Sequence, residues 1–169
     1  MNRQGLLIAM LATFAAIVAF LTYLIVDRAM QQRELQARSG FLPIKAGLFA
    51  LDGGRFTIPT GKPVVLILFN STCEHCQYEL SQINAEINSF NDIELVFLSS
   101  EPIPAIKQSA LPFEGNRNVN FVKINPEDVF DNFGTVRYPT ILIYGTNGRL
   151  IKEFKGETKV EAILKYARQ

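Results

Sequence analysis

The sequence predicts an α/β domain with a mixed central sheet and helices on both faces. An apolar N-terminal helix and a β-hairpin are expected to precede it. Two observations support this prediction. Strand-like and helix-like patterns alternate along residues 41–169, as is typical of β-α-β units. Residues 5–26 form an uncharged apolar run, and about 20 such residues are enough to cross a bilayer as a helix.

Composition limits the class of protein. The chain has 169 residues, a formal net charge of +1 and 48% hydrophobic residues, which indicates one globular domain with an additional segment. The balanced charge gives no reason to expect nucleic acid or an acidic partner. The chain has 2 cysteines, fewer than the four or more usual in a small domain held together by disulfides.

The N-terminal segment is divided into a flank (residues 1–4), a transmembrane anchor (residues 5–26) and a linker (residues 27–40). A cleaved signal peptide is the alternative, but its apolar core would be shorter, about 7–15 residues, and would end in a small-x-small site. No convincing site follows Val26. The positive-inside rule favours a cytoplasmic C-terminal domain, because three arginines follow the anchor: Arg28, Arg33 and Arg38.

The domain is expected to begin with a hairpin and then a buried strand. Leu48–Leu51 and Arg55–Ile58 flank a turn at Gly53-Gly54, and glycine is favoured in tight hairpin turns. After a second turn, Val64–Phe69 is continuously apolar, which predicts a central strand buried on both faces.

Two cysteines follow this strand, with the sequence Cys73-Glu74-His75-Cys76. Helical periodicity then places four apolar residues on one face of a helix over 73–90, namely Leu80, Ile83, Ile87 and Phe90. The cysteines therefore lie where a strand meets a helix N-terminus. Free N–H groups and the helix dipole favour a thiolate there, and the spacing brings the second sulfur within reach. The pattern predicts a redox-active dithiol.

The remaining elements alternate. Ile93–Ser99 and Val119–Ile124 are predicted strands, and the proline-rich segment 101–116 between them is expected to be irregular with one short helix. Asn125-Pro126 predicts the start of a helix, and Gly134 predicts its end.

A hairpin and a helix complete the domain. Thr140–Tyr144 and Leu150–Phe154 are predicted to pair around Asn147-Gly148, a strong hairpin signal. Thr158 and Glu161 form a potential capping box. The buried face of this last helix is expected to carry Val160, Ile163, Leu164 and Ala167.

Four features together resemble one superfamily: the segment GKPVVLILFNSTCEHC, Glu79 three residues after Cys76, the segment VRYPT at 136–140, and the closing hairpin with its glycines. From Leu42 to Tyr166 the chain resembles the thioredoxin superfamily, specifically the membrane-tethered thiol-disulfide oxidoreductases of the TlpA/ResA type. This resemblance implies a thioredoxin fold over residues 41–169. It also implies that Pro139 is cis, packs beside the dithiol and presents the backbone of Tyr138 to an extended substrate.

The chain departs from the family at three positions. Thr72 replaces the usual tryptophan, Ser81 stands where a proline often kinks the helix, and Ile67 replaces the buried carboxylate of thioredoxin. The cysteine pattern remains, but substrate preference and the proton-transfer route are put in doubt.

The expected reaction is dithiol-disulfide exchange without another cofactor. Cys73 attacks as the more exposed thiol, and Cys76 resolves the mixed disulfide. Glu74, His75 and Glu79 are candidate tuning residues. A protonated His75 would make the pair more oxidising, as in DsbA-like proteins, whereas Glu74 acts in the opposite direction and matches the reducing members. The family resemblance favours a reductase, and an oxidase or isomerase is the alternative.

Other uses of these residues have less support. A zinc site needs four ligands, and haem attachment needs CxxCH, where this chain has Gln77. Copper-delivery relatives use CxxxC, and a peroxidase usually has threonine where this chain has Asn70. No metal site is therefore expected. The remaining alternative from another class is a non-catalytic thioredoxin-fold binding module.

The family resemblance also implies a location. Disulfides form outside the cytoplasm, so we expect a single-pass protein of the bacterial inner membrane with its domain on the periplasmic side. This implication outweighs the arginine count. The expected partners are protein disulfides or dithiols, for example apocytochrome c, and a membrane thiol donor of electrons.

Overall fold

The computed structural model describes residues 10–26, 40–43 and 47–169, and the chain divides into two compact units, Met1–Ala37 and Arg38–Gln169. In the first unit, residues 10–26 form helix α1. Among the described residues, no helix combines the length and the apolar character needed to cross a membrane. The flank, residues 5–9 of the predicted anchor and residues 27–39 of the predicted linker lie outside the described residues. The anchor stays a prediction.

The second unit is built on a six-stranded sheet in the order β1-β4-β3-β2-β5-β6. Strands β2, β3 and β4 run parallel, and the other three pair antiparallel, which confirms a mixed sheet. The elements are β1 (Leu48–Ala50), β2 (Val64–Leu68), α2 (Glu74–Ala85), β3 (Glu94–Ser99), α3 (Ile103–Ala110), β4 (Val119–Ile124), α4 (Pro126–Phe133), β5 (Thr140–Tyr144), β6 (Leu150–Lys155) and α5 (Val160–Ala167).

Helices cover both faces of this sheet, as predicted. Every side chain of β2 is fully buried, so its uninterrupted apolar sequence matches its central position. Val65 and Ile67 pack in the cluster that includes residues of α2, α3 and α5. Leu66 and its neighbours on the opposite face pack in the cluster that includes Val129 of α4.

The predicted N-terminal hairpin forms only in part. The turn closes with an N–H···O bond of 2.8 Å from Ala50 to Gly54, but the second arm adds only an isolated bridge between Phe49 and Arg55. Beyond this bridge, Ile58 is buried in the core cluster that also contains Leu48 of β1. The first arm, β1, instead pairs with β4.

The predicted extent of one helix also needs correction. Helix α2 ends at Ala85 because Glu86 leaves helical geometry, and a 3₁₀ turn, Ile87–Phe90, carries the chain on. This turn still delivers Phe90 to the core. The short helix predicted within the segment 101–116 is confirmed as α3, which has two prolines at its start, where a missing N–H has no consequence.

Four phenylalanines form a buried cluster on the face covered by α2. The Phe97 ring stacks on Phe121 with centroids 4.5 Å apart, and it lies 5.1 Å from Phe113 and 6.2 Å from Phe69. Phe69 directly follows β2 on the chain. The cluster therefore supports the strand end that carries the cysteines.

We expect Phe97→Ala to lower the free energy of unfolding by about 3–5 kcal/mol, because it leaves a cavity in this cluster. Urea denaturation followed by circular dichroism measures the change. Phe130→Ala is the matched control, since Phe130 is 60% exposed, and a change of about 0.5 kcal/mol or less is expected there. Equal losses in both variants would contradict this account of the core.

Candidate active site

The two cysteines lie at the N-terminus of α2, shortly after the end of β2. Cys73 is the N-cap residue of α2, with φ −82° and ψ 116°, and Cys76 lies in the first turn. Both are free thiols, Cys73 partly exposed and Cys76 buried. The predicted position of the dithiol at a helix N-terminus is thus observed.

The structure brings the loop before β5 to the same place. The peptide bond between Tyr138 and Pro139 is cis, and the Cys73 thiol donates to the Tyr138 carbonyl oxygen at 3.8 Å. Four of the residues singled out from the sequence, two cysteines and this Tyr-Pro pair, therefore form one group. An extended segment bound along Tyr138 would lie beside the Cys73 sulfur.

The environment distinguishes the two thiols. The pKa of the Cys76 thiol is raised to about 12, mainly by burial and to a smaller extent by the neighbouring Cys73 thiol. The Asn70 N–H donates to Cys76 Sγ at 3.5 Å, which lowers the same pKa. Cys76 is only 1% exposed. Cys73 is therefore the sulfur that a substrate can reach.

Glu79 is a buried carboxyl one turn beyond Cys76, on the same face of α2. Its Oε2 accepts the Thr158 N–H at 2.8 Å, and its Oε1 is buried with no hydrogen-bond partner among the described residues. Burial raises the pKa of this carboxyl to about 7, and the charge of Glu157 adds to the increase. A carboxyl group that titrates near neutral pH thus lies close behind the dithiol.

The predicted capping box of α5 is wrong. The helix begins after Lys159, with no side-chain cap. Thr158 instead gives its N–H to Glu79 and its hydroxyl to the Gly156 carbonyl. The residue is used to hold the buried carboxyl and is not available to cap the helix.

Glu74 and His75, the residues between the cysteines, are exposed. His75 Nδ1 lies 2.5 Å from Oε1 of Glu157 in the loop between β6 and α5. The carboxylate of Glu157 therefore lies next to the one imidazole of the chain. The sequence analysis did not identify Glu157, which is 82 positions from His75.

A second residue missed from the sequence is Glu101, just after β3. Its carboxylate accepts hydrogen bonds from Ser71 and Ser99. Strands β2 and β3 are parallel neighbours, so their carboxyl ends meet at one edge of the sheet. The predicted order of the strands therefore already contained the information that Glu101 could lie near the loop after β2.

The three departures from the family pattern have simple surroundings. Ile67 lies in the apolar core. The Thr72 hydroxyl donates to Asn70 Oδ1 at 2.7 Å, and the Ser81 hydroxyl donates to the Tyr78 carbonyl at 2.7 Å. In the described part of the chain, no group of three or more histidine, cysteine, aspartate or glutamate side chains is placed to hold a metal ion.

No family profile matches the sequence, and no curated protein matches it. Solved structures do. A secreted Mycobacterium tuberculosis disulfide oxidoreductase, described as homologous to E. coli DsbE, is 16% identical, with TM-score 0.60, over 78% of this chain and 97% of its own.

Two further solved structures are similar. The exposed lipoprotein thioredoxin Etrx1 of Streptococcus pneumoniae is 21% identical, with TM-score 0.58, over 72% of this chain and 96% of its own. StoA from Bacillus subtilis is 16% identical, with TM-score 0.56, over 70% of this chain and 95% of its own. At these identities the likeness shows the fold, and the second unit of the chain has the thioredoxin fold.

Proposed function

We propose that this protein is a thiol-disulfide oxidoreductase that works through Cys73 and Cys76. The observation that carries the proposal is the pairing of a partly exposed thiol at a helix N-terminus with a buried thiol behind it. A free cysteine pair of this kind has no packing role that requires the CxxC spacing. The thioredoxin fold of the domain supports the same function.

In the reductive direction, the Cys73 thiolate attacks one sulfur of a substrate disulfide, and the other substrate sulfur leaves as a thiolate. Cys76 then loses its proton and attacks Cys73 Sγ. The mixed disulfide breaks, the reduced substrate leaves, and a disulfide forms between Cys73 and Cys76. The cysteine pair has then given two electrons to the substrate. The reverse sequence oxidises a substrate dithiol.

Protein substrates fit this site better than small thiols. The Tyr138 carbonyl lies beside the Cys73 sulfur, so an extended chain that pairs with the backbone there would have its disulfide next to the attacking thiol. Tyr138 and Pro139 therefore serve as the substrate-binding residues of the proposal. Exported proteins, for example apocytochrome c, are the proposed clients.

We assign the protein to the reducing direction. Glu74, His75 and Glu79 are the proposed tuning residues. The Glu157 carboxylate lies against His75, and its negative charge offsets the positive charge of a protonated imidazole, which would favour an oxidant. The family resemblance adds the same preference. The alternative is an oxidase or isomerase of DsbA-like potential.

A tether in the bacterial inner membrane, with the domain on the periplasmic side, is part of the proposal. The apolar run at residues 5–26 supports it. Two of the similar structures also support it, because one is of a secreted protein and the other is of an exposed lipoprotein. A reductase in that compartment needs a membrane thiol as its electron donor, because disulfides are favoured there.

The first prediction concerns trapping. In the full chain, Cys76→Ser is expected to accumulate mixed disulfides with protein substrates, because the resolving thiol is missing. Cys73→Ser is the matched control and should form none, since Cys76 is buried. Non-reducing gels and mass spectrometry after acid quenching measure both. Identical behaviour of the two variants would favour the non-catalytic binding module.

The direction is tested by the equilibrium reduction potential of the pair in the full chain. We expect a value below about −230 mV, towards that of thioredoxin. Equilibration with glutathione or dithiothreitol buffers, followed by thiol alkylation, gives the potential. A value near about −120 mV would assign the oxidase or isomerase role, and the absence of a two-electron couple would reject the enzyme.

The third prediction concerns Glu79. Its pKa is about 7 in the folded protein against 4.5 for an ordinary glutamate, so the folded state holds the proton more tightly. Stability is therefore lost as pH rises through this window. Relative to Glu79→Gln, the wild-type free energy of unfolding should fall by about 3 kcal/mol between pH 4.5 and 7.5.

Urea denaturation across this pH range measures the effect. Glu114→Gln removes an exposed carboxyl and serves as the control, with a pH dependence like that of wild type. Parallel pH curves for wild type and Glu79→Gln would contradict the raised pKa and remove Glu79 as a proton acceptor near the dithiol.

A further inference from the structure

The carboxylate of Glu101 holds the loop that precedes the cysteines. Its Oε2 accepts the Ser71 N–H at 2.7 Å and the Ser99 hydroxyl at 3.0 Å. Its Oε1 accepts the Ser71 hydroxyl at 2.7 Å. Three hydrogen bonds to one carboxylate fix the end of β3 to the loop between β2 and α2.

The same loop carries the hydrogen-bond donor to the buried thiol. Ser71 is held from its other side by Gln77 Nε2, which donates to the Ser71 carbonyl at 2.8 Å. The neighbouring Asn70 gives its N–H to Cys76 Sγ at 3.5 Å, and its carbonyl accepts the Cys73 N–H at 3.2 Å. The Asn70 carbonyl and the Ser71 N–H form one peptide group, which adjoins the N–H of Asn70 at the Asn70 α-carbon, so the contacts that hold Ser71 also restrain the direction of the Asn70 N–H.

We propose that Glu101 is a positioning residue for the resolving step: by fixing Ser71, it keeps the Asn70 N–H directed at Cys76 Sγ. This inference rests on the proposed function. A hydrogen bond to sulfur favours the thiolate over the thiol, and the buried Cys76 must become a thiolate before it can attack.

In the resolving step, Cys76 loses its proton to solvent or a neighbouring base, and its sulfur forms a bond to Cys73 Sγ. The bond between Cys73 and the substrate sulfur breaks, and the substrate leaves as a thiolate that takes up a proton. Formation of the Cys73–Cys76 disulfide has transferred two electrons from the dithiol to the substrate. Glu101 contacts none of the reacting sulfurs and acts through the loop.

Geometry and charge have opposite effects here. The negative charge of Glu101 raises the pKa of Cys76, whereas the Asn70 N–H lowers it by more. Removal of the whole carboxylate should therefore slow resolution, although one unfavourable charge is lost. Glutamine can keep the three contacts, because its Oε1 accepts from both Ser71 N–H and Ser99, and its Nε2 donates to the Ser71 oxygen.

The experiment compares the reduced full chain with Glu101→Ala, Glu101→Gln and Glu114→Ala, the last removing an exposed carboxylate of equal charge. Each is mixed with a peptide disulfide and quenched with acid. Mass spectrometry then follows the formation and decay of the mixed disulfide. Formation reports attack by Cys73, and decay reports resolution by Cys76.

We expect Glu101→Ala to slow decay about threefold to tenfold, the effect of a weakened hydrogen bond, with formation changed less than twofold. Glu101→Gln and Glu114→Ala should decay at nearly the wild-type rate. Equal slowing in the alanine and glutamine variants would mean that the three contacts, which glutamine keeps, do not account for the effect, and would overturn the inference. So would a wild-type rate in Glu101→Ala.

Ser71→Ala provides a second test if Glu101→Ala does not fold. It removes the hydroxyl contact to Glu101 and keeps the N–H contact, so decay should slow about twofold to threefold, within the range for one hydrogen bond. A wild-type rate of decay in this folded variant would overturn the inference. A wild-type chain that forms no mixed disulfide would instead reject the proposed function, which is a separate result.

Discussion

The burial of β2 on both faces is the constraint on which the site depends. Every residue of the strand is buried, and the strand pairs along its whole length with β3 on one side and β5 on the other. The chain leaves the core at Asn70, and the helix must begin a few residues later. The N-cap position of Cys73 follows from where the buried strand ends.

One short stretch of chain thereby creates two chemically different thiols. Cys73 lies at the surface, and Cys76 is turned inward by the helical periodicity that also buries Leu80 and Ile83. Desolvation keeps the inner thiol protonated until a neighbouring sulfur is presented to it. The same periodicity buries Glu79. The apolar stripe of α2 thus stabilises the fold and separates the roles of the cysteines.

Local sequence pattern was enough to predict the central strand, the helix after it and the order of the elements, whereas the cis bond before Pro139 was expected only from the family resemblance. Sequence reasoning did not identify Glu101 or Glu157, because their partners lie 30 and 82 positions away. It also assigned Thr158 to a helix cap. The amide of Thr158 meets a buried carboxyl from another helix, and a local motif contains no information about that contact. The local turn signal for the N-terminal hairpin likewise contains no information about the burial of Ile58 in the core.

The charge around the dithiol depends on residues outside the motif. Within CEHC, one acidic and one basic side chain oppose each other, and the motif alone leaves the direction open. The Glu157 carboxylate contacts His75, and the Glu101 carboxylate accepts hydrogen bonds from Ser71 in the loop before the cysteines. The formal count therefore becomes three carboxylates against one imidazole. Negative charge near a thiol disfavours the thiolate. In general, a dithiol whose thiolate is less stabilised is more reducing. Tertiary contacts therefore contribute to the charge around the dithiol, which the four-residue motif alone does not determine.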